Sequence, residues 1–322
     1  MRPVFVGGTG RSGTTVLKSI LDCHPRVLGV PHEMRLIVDP GGALDLIDAL
    51  SHRWSPYSAD LAIHRFRDLC ADLFSTPLTR SLPLRAARVA LRRIGASAWR
   101  YHTVDASAFG SKAEFLAAVD RFLDTLIDHR TRGSWLGSRP FSPRSVIHET
   151  TPRRHADVAE AFGRFFDDVL SSRRGPCTHW VEDTPFNVSH PEELRAAFPQ
   201  SKLIHIFRDP RDVVASHLTK AWGGDGAESV ARRVRAVLER WLVLRETLPD
   251  DFYVELPLER IATAQRAELE ALCGFLDLDY DSALERISLD KVNAGRWQSE
   301  LNDAEQSAVI RVLGDTIQKY GY

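Results

Sequence analysis

The feature that most constrains the fold is a glycine-rich turn near the amino end, placed between a β-branched run and a helical pattern. The run Val4–Val6 leads into the segment Gly7–Gly13, and apolar residues after Thr15 recur at helical spacing. Glycines let the loop backbone direct its N–H groups inward, and the positive end of the following helix points to the same place. The segment therefore predicts a strand, a loop that holds an anion, and a helix.

The loop departs from the nucleoside-triphosphate pattern at one position. Its spacing from Gly8 to Gly13 matches G-x-x-x-x-G-K-[ST], but Thr14 replaces the lysine and the basic charge lies at Arg11. In that pattern the lysine reaches the β- and γ-phosphates and the next hydroxyl binds magnesium, so its loss argues against ordinary ATP chemistry. An arginine, hydroxyls and amides suit a compact anion bound without metal, such as a phosphosulfate. The alternative is a glycine-rich turn that binds no ligand.

A second candidate anion site follows a later strand. The segment Lys202–Phe207 is nearly all apolar, which is typical of a strand buried in a parallel sheet. Arg208 ends this strand, Asp209 is a candidate N-cap, and Pro210 suits the first helical position. An arginine at this junction predicts an anion site by the same physics as the first loop. A salt bridge from Arg208 to Asp209 or Asp212 is the structural alternative.

These two segments resemble the PAPS-dependent sulfotransferases, with PAPS denoting 3′-phosphoadenylyl sulfate. The segment Gly10–Thr15 is similar to their 5′-phosphosulfate loop, and Arg208 with Ser216, eight residues later, is similar to their 3′-phosphate element. The late loop with Arg296 and Trp297 resembles the family's loop that covers the 3′-phosphate and adenine. The alternative is that Trp297 is packed in the protein and Arg296 lies on the surface, with no role in binding. The resemblance implies that the nucleotide is bound by Gly10, Arg11, Ser12, Gly13, Thr14, Thr15, Arg208, Ser216, Arg296 and Trp297.

The resemblance also implies a fold and a reaction. The expected fold is α/β, a P-loop-containing parallel sheet flanked by helices, with a helical insertion. The expected reaction moves a sulfuryl group from PAPS to a hydroxyl or amine, with PAP as the product and no metal. The acceptor would be a small molecule, a glycan or a lipid, and the sequence does not choose among them. A homodimer is also left open.

A polar cluster after the predicted strand Val27–Val30 is the candidate for acid–base chemistry. The order R-S-G-T-T, then D-x-H-P, then E-x-R resembles soluble bacterial and tyrosylprotein-type sulfotransferases. It implies that Glu33 accepts the proton of the acceptor, while Arg11 stabilises the leaving group. His32 is a rival base, and we expect His32 and Arg35 to contact the substrate. A solvated loop carboxylate is the alternative for Glu33.

One position departs from the family pattern. The segment Trp180–Pro185 resembles a family segment that often has lysine before Thr-Pro, and Asp183 stands at that place. The family lysine is credited with steadying the sulfuryl oxygens or the leaving group. That role would fall to Arg11, with help from Arg35 or Lys112.

Other function classes remain open on the residues alone. A P-loop kinase would share strand, loop and helix, but it should need magnesium and a lysine where Thr14 stands. A catalytically weak nucleotide-binding protein would explain Asp183. A hydrolase nucleophile at Ser12 is disfavoured because the loop fails G-x-S-x-G at its last position.

The rest of the chain predicts a single domain over residues 1–322, with a mostly helical insertion over 41–175 that shapes the acceptor pocket. Apolar spacing predicts one helix over Lys112–Arg130 and another, with a basic face, over Leu84–Ile94. A C-terminal helix is predicted over about Asp303–Tyr320.

Composition and charge limit the cellular location and the binding partners that we expect for this protein. The formal net charge of -1 gives no general attraction to nucleic acid. The 4 cysteines are widely spaced and read as reduced thiols, and no apolar run reaches the roughly 18 residues that span a bilayer. The first strand starts almost at Met1, which leaves no room for a signal peptide. We therefore expect a cytoplasmic protein. The 12 histidines show no metal-ligand spacing, so no metal is predicted.

Overall fold

The described part of the chain clusters into two compact units. The structure is a computed structural model that describes residues 1–30, 33, 36–74, 109–133, 135, 146–220, 223–224, 226–287, 289 and 293–322. Unit 1 comprises Met1–Val30, Pro176–Arg195 and Pro199–Tyr322, and unit 2 comprises Pro31–Gly175 and Ala196–Phe198. The helix predicted over Leu84–Ile94 and the candidate residues His32 and Arg35 lie outside the described residues.

Strands and helices alternate near both ends of the chain, and helices are the main elements among the described residues between them. The strands are β1 (Arg2–Gly7), β2 (Val27–Gly29), β3 (His129–Arg132), β4 (Val146–Glu149), β5 (His179–Glu182), β6 (Lys202–Phe207) and β7 (Tyr253–Pro257). The helices are α1 (Thr14–Leu21), α2 (Ala43–Leu50), α3 (Pro56–Asp72), α4 (Lys112–Asp124), α5 (His155–Ser171), α6 (Pro191–Ala197), α7 (Pro210–Leu218), α8 (Ala227–Leu244), α9 (Leu258–Thr263), α10 (Gln265–Phe275), α11 (Arg296–Glu300), α12 (Asp303–Leu313) and α13 (Thr316–Lys319). None of the helices in the described ranges is long and apolar enough to cross a membrane.

Unit 1 is built on a parallel sheet of five strands in the order β2-β5-β1-β6-β7. Every neighbouring pair in this sheet is parallel. The central strand β1 is buried on both faces, and Val4, Phe5 and Val6 are wholly inaccessible. This confirms the predicted α/β fold with a parallel sheet and explains the continuous apolar runs, because helices cover both faces of such a sheet.

The two faces of β1 pack against different partners. Val4 and Val6 join an apolar cluster with Leu17 of α1 and Leu269 of α10. Phe5 points to the opposite face, where its ring meets Trp180 edge-on with centroids 5.4 Å apart. Each fully buried side chain of this size contributes about 1.5–3 kcal/mol relative to exposure. The strand that precedes the glycine-rich loop is therefore held firmly from both sides.

In the residues that the structure describes, unit 2 combines helices α2 to α5 with the antiparallel hairpin β3–β4. Its core is rich in phenylalanine, and Phe66 of α3 contacts Phe122 of α4 and Phe162 of α5 in edge-on pairs. Both α3 and α4 begin with a capping box, at Ser55 and at Ser111. These caps fix where the two helices start.

Two helices end before the predicted positions. The helix predicted over Lys112–Arg130 stops at Asp124, and the chain from His129 onward is strand β3. The apolar spacing continues through the turn, but the Asp128 N–H donates to the Glu149 carbonyl at 2.9 Å and starts the hairpin. The helix predicted over Asp303–Tyr320 is interrupted at Gly314, whose φ of 52° is not helical.

Candidate functional site

The loop between β1 and α1 contains three residues with left-handed backbone. Gly10, Arg11 and Gly13 have φ values of 72°, 58° and 104°. This conformation costs a non-glycine residue about 1–2 kcal/mol. Arg11 is one of few non-glycine residues in the described structure that adopt it, and such strain concentrates at functional sites.

The same loop packs closely against strand β6. A Cβ atom added at Gly8 would lie 2.3 Å from Ser12 Oγ and 2.4 Å from the Ile206 carbonyl oxygen. The Ser12 side chain is fully buried, and its hydroxyl makes no hydrogen bond to any described residue. Gly13 precedes α1 without a side-chain cap, so the first N–H groups of that helix have no side-chain acceptor there. Buried donors of this kind suit a bound anion.

The loop after β6 lies beside the first loop, because β1 and β6 are adjacent parallel strands that pair Gly7 with His205. Asp209 caps α7 by accepting from the Arg211 N–H at 2.9 Å, and Pro210 takes the first helical position, as predicted. Arg11 Nε donates to Ser216 Oγ at 3.1 Å. The side chains of the two predicted anion elements are thus in direct contact at the carboxyl edge of the sheet.

Arg208 is buried and only partly satisfied. Its side chain is 7% exposed, and Nη2 lies 3.2 Å from Asp212 Oδ2 and also donates to the Asn293 carbonyl oxygen. Its Nε has no hydrogen-bond partner among the described residues. The salt bridge considered as an alternative is therefore present at one nitrogen, while another donor of the same guanidinium remains available.

Asp212 fastens the late loop to this region. The carboxylate is fully buried, and it accepts from the Gly295 N–H at 2.8 Å and from the Trp297 N–H at 3.0 Å. The Trp297 ring lies 4.5 Å from the Arg211 guanidinium carbon, in cation–π geometry. From the sequence, Asp212 was considered only as a partner for Arg208. Its hydrogen bond with Trp297 joins residues 85 positions apart, and no local sequence pattern indicates such a contact.

Arg296 has a partner within its own helix. Its Nε and Nη2 donate to Glu300 Oε2 at 2.9 and 2.7 Å, and its side chain is 15% exposed. Its loop is brought to Arg208 through Asp212 and the Asn293 carbonyl. A contact between Arg296 and a phosphate stays a prediction.

A buried hydrogen-bond network around the Glu182 carboxylate lies at the carboxyl end of β5. Glu182 accepts from the Thr184 N–H at 2.8 Å and from Asn187 Nδ2 at 2.6 Å, and the same amide group lies 3.3 Å from the Val6 carbonyl oxygen. Burial, followed by the neighbouring Asp183 carboxylate, raises the pKa of Glu182 to about 7. Asp183 is itself fully buried. The position where the family pattern favours lysine therefore belongs to the protein interior.

His217 is a neighbour of the first loop that sequence reasoning missed. Its ring carbon would lie 3.7 Å from a Cβ atom at Gly10. Burial, and then the charges of Arg233 and Arg11, lower the pKa of His217 to about 4. His217 is therefore neutral at pH 7. Its position directly after Ser216 was the only sequence clue.

Glu33 belongs to unit 2, where it is half-buried and has a φ of 42°. A non-glycine residue in this conformation is uncommon and costs energy, as at Arg11. The predicted strand around Val27–Val30 is observed as β2, which precedes Glu33 and is parallel to β5. Its role as the base stays a prediction.

The comparisons with known proteins agree with this architecture. Residues 3–77 and 84–282 match the profile described as the sulfotransferase family. No curated protein matches the chain. Among solved structures, the sulfotransferase domain of the Synechococcus PCC 7002 olefin synthase covers 100% of this chain and 94% of its own, with 17% identity and a TM-score of 0.53. Sulfotransferase STF9 from Mycobacterium avium is 16% identical, with 99% of this chain and 77% of its own covered and a TM-score of 0.46.

The likeness to the Synechococcus domain supports the fold, and the family match supports the class of chemistry. The matched residues include both loops at the carboxyl edge of the sheet and most of the described chain. The resemblance read from the two anion elements is thereby confirmed at the level of the family. The chain belongs to the sulfotransferase family.

Proposed function

We propose that the protein transfers a sulfuryl group from PAPS to a hydroxyl or amine of an acceptor. The observation that carries the proposal is the hydrogen bond between Arg11 and Ser216. The resemblance assigns these residues to opposite ends of one nucleotide, and their direct contact is compatible with one shared nucleotide site.

The residues present fit the two phosphate ends of PAPS. Buried donors remain at Ser12 Oγ and Arg208 Nε, and the amino end of α1 has no side-chain cap. In the proposal, the Gly10–Thr15 loop binds the 5′-phosphosulfate. Arg208 and Ser216 bind the 3′-phosphate, and Trp297 lies beside the adenine. Charged hydrogen bonds of this kind contribute about 1.5–3 kcal/mol each.

The proposed chemistry is a direct in-line transfer. PAPS supplies a sulfuryl group bound through a phosphosulfate anhydride. Glu33 accepts the acceptor proton as the acceptor oxygen or nitrogen bonds to sulfur, and the bond from sulfur to the bridging oxygen breaks. Arg11 and the loop amides stabilise the negative charge that grows on that oxygen, and PAP leaves. His32 and Arg35 would contact the substrate, and no metal takes part in the proposed transfer.

In the proposal, the binding pocket for the acceptor is shaped by the mostly helical insertion over residues 41–175. A small molecule, a glycan or a lipid would suit a pocket shaped by this insertion. A single domain over residues 1–322 and a cytoplasmic location are parts of the same proposal.

A second candidate is a nucleotide-binding protein with weak transfer activity. The buried Asp183 favours it, because it stands where the family pattern often has a cation. Such a protein would bind PAP as tightly as an active enzyme does. Sulfate transfer from PAPS to every acceptor in a broad screen would then stay at background.

The first test is thermal unfolding with PAP, with ADP, or with ATP and magnesium. A ligand at about 100 times its dissociation constant adds roughly 2.7 kcal/mol of stability, which raises the melting temperature by several degrees. We expect the largest shift with PAP, because only PAP offers both phosphate ends. A shift with ATP and magnesium alone would refute the proposal and favour a phosphotransferase.

A further inference from the structure

Unit 2 contains a cluster of two histidines and one aspartate that the proposed transfer does not use. His64 Nε2 and His148 Nδ1 lie 3.3 and 3.0 Å from Asp60 Oδ1. The three side chains are 13%, 12% and 6% exposed in the order His64, His148 and Asp60. Their potential ligand atoms all lie within 4.8 Å of one another. Two nitrogens and one oxygen therefore converge on one small, largely buried point.

Two of the three separations between ligand atoms match those of a tetrahedral cation site. Bonds of roughly 2.0–2.1 Å to zinc, arranged tetrahedrally, place neighbouring ligand atoms about 3.3 Å apart. The separations from Asp60 Oδ1 to His148 and His64 are 3.0 and 3.3 Å. Imidazole nitrogens and a carboxylate oxygen form a common ligand set for Zn²⁺. The Val146 carbonyl oxygen, 3.2 Å from His64 Nε2, is a further oxygen donor beside the cluster.

The carboxylate is also held by a surrounding shell. Trp135 Nε1 donates to Asp60 Oδ2 at 2.9 Å, and the His148 backbone N–H donates to Oδ1 at 2.8 Å. Metal ligands are usually oriented by such outer hydrogen bonds. The Trp135 ring is itself fixed by an edge-on contact with Tyr57, with centroids 5.8 Å apart. The carboxylate therefore has a defined orientation.

The cluster joins elements that are distant in sequence. Asp60 and His64 lie one turn apart on α3, and His148 is on strand β4. The spacing of Asp60 and His64 alone does not indicate a metal site, because two ligands are too few. The third ligand, His148, is distant in sequence and joins them only when the hairpin packs against α3. A cation at this point would cross-link the helix to the hairpin and stabilise unit 2.

We infer that Asp60, His64 and His148 bind one Zn²⁺ ion, which clips strand β4 to helix α3. The assignment is independent of the proposed sulfuryl transfer. In that transfer no metal takes part, so this ion would stabilise the fold without contacting the reacting groups.

The test measures zinc on full-length protein prepared without a polyhistidine tag. Metal-free protein is dialysed against zinc, its metal content is measured, and its affinity is determined by competition with a chromophoric chelator. We expect one zinc per chain and a melting temperature that falls when the chelator removes it. The double variant His64→Gln/His148→Gln should bind zinc more than about 100-fold more weakly. The matched control His52→Gln/His155→Gln removes a stacked histidine pair of the same unit, in which His52 is exposed, and should leave the affinity unchanged.

Two further measurements keep the inference testable if the double variant folds poorly. Trp135→Phe removes only the outer hydrogen bond and should weaken zinc binding by about 10- to 100-fold. Cobalt bound to the unaltered protein should give the intense visible absorption of a four-coordinate ion. The inference is overturned if the unaltered protein binds no zinc beyond the level of the double variant. It is also overturned if the control pair lowers the zinc affinity as much as the cluster variant does.

Discussion

Among single residues, Arg208 gives the clearest prediction for nucleotide binding. Its Nε is buried and lacks a partner among the described residues, while Nη2 is bound to Asp212. Replacing Arg208 by alanine should weaken PAP binding by about 1.5–3 kcal/mol, roughly 10- to 150-fold, because a charged hydrogen-bonded contact is lost. Titration calorimetry with PAP and with ADP measures the effect, which should be much smaller for ADP because it lacks the 3′-phosphate.

A matched arginine variant separates this effect from a general loss of positive charge. Arg195 is exposed on α6, so Arg195→Ala should leave PAP affinity unchanged. Circular dichroism of Arg208→Ala checks that the buried Asp212 tolerates the loss of its partner. Unchanged PAP affinity in a folded Arg208→Ala protein would remove Arg208 from the nucleotide site.

Glu33 carries the prediction for the chemical step. Glu33→Gln keeps the shape of the side chain but cannot accept a proton, so turnover should fall by about 100- to 10,000-fold while PAP affinity stays the same. Initial rates of labelled sulfate transfer, with an acceptor found by screening, measure the loss. His32→Gln is the matched variant. If Glu33→Gln turns over at a near-normal rate and His32→Gln does not, the base is His32.

Glu182 predicts a specific dependence of stability on pH. Its pKa is about 7 in the folded chain and 4.5 in the reference state, so the folded state binds more protons between these values. The stability that Glu182 contributes is therefore complete below pH 4.5 and is lost as the pH rises towards 7. The full shift corresponds to about 3 kcal/mol. Glu182→Gln cannot titrate and should abolish this loss.

Urea unfolding of both proteins from pH 4.5 to 8 provides the measurement. The difference between them isolates Glu182, because the histidines contribute equally to both proteins and cancel, although they act in the opposite direction. The lowered pKa values of His217 and His179, each about 4, make stability rise with pH between 4 and 6.5. Parallel stability curves for the original protein and Glu182→Gln would show that Glu182 does not titrate in this range.

The sequence could predict residue pairs that lie close together along the chain, but not pairs that are far apart in sequence. Arg208 and Ser216 lie within one short segment of the chain, so their spacing was visible in the sequence. Asp212 binds Trp297 across 85 residues, and Asn187 binds Val6 across 181 residues. No local pattern records such pairs, because only the folded sheet brings them together.

At the scale of elements, the glycine-rich loop depends on a close approach that a methyl group would block. A Cβ atom at Gly8 would lie 2.4 Å from the Ile206 carbonyl oxygen, which belongs to the central sheet and cannot move aside cheaply. Gly8→Ala should therefore distort the loop, lower the melting temperature and weaken PAP binding. Gly274→Ala is the opposite case, since nothing lies within 4 Å of its added Cβ atom inside α10. It should stabilise the protein by about 0.5–1 kcal/mol.

Thermal unfolding and PAP titration of the two glycine variants test this contrast. A Gly8→Ala protein that melts and binds PAP like the original would show that the loop relaxes away from β6. Loss of PAP affinity in Gly274→Ala would instead show that α10 supports the nucleotide site.

Elements were predictable where local and long-range preferences agree. Strand β6 and the start of α7 were predicted at their observed positions, because a buried run, an N-cap and a proline all favour the same boundary. The end of α4 was not predicted correctly. The apolar spacing continues past Asp124, but the chain after it forms strand β3 of the hairpin. Pairing between β3 and β4 outweighed the local helical preference.

At the scale of the whole molecule, the proposed nucleotide site collects segments from both ends of the chain. The loop after β1, the start of α7 and the late loop at Trp297 are joined by the Arg11–Ser216 and Asp212–Trp297 hydrogen bonds. The order of the two main motifs was visible in the sequence. Unit 2 is formed mainly by residues 31–175, and a helical insertion over 41–175 within a single domain stays a prediction.

Because these three segments share direct contacts, one ligand that spans them should order them together. Under the proposed function, PAP should slow amide hydrogen exchange in Gly8–Thr15, Arg208–Ser216 and Asn293–Trp297 at the same PAP concentration. Exchange followed by mass spectrometry, with ADP as the matched ligand, measures this coupling. ADP should protect the first segment and leave the other two nearly unchanged, since it has no 3′-phosphate for Arg208. Equal protection by ADP and PAP in the Arg208–Ser216 segment would contradict a 3′-phosphate site there and would leave the first loop as the sole anion site of the proposal.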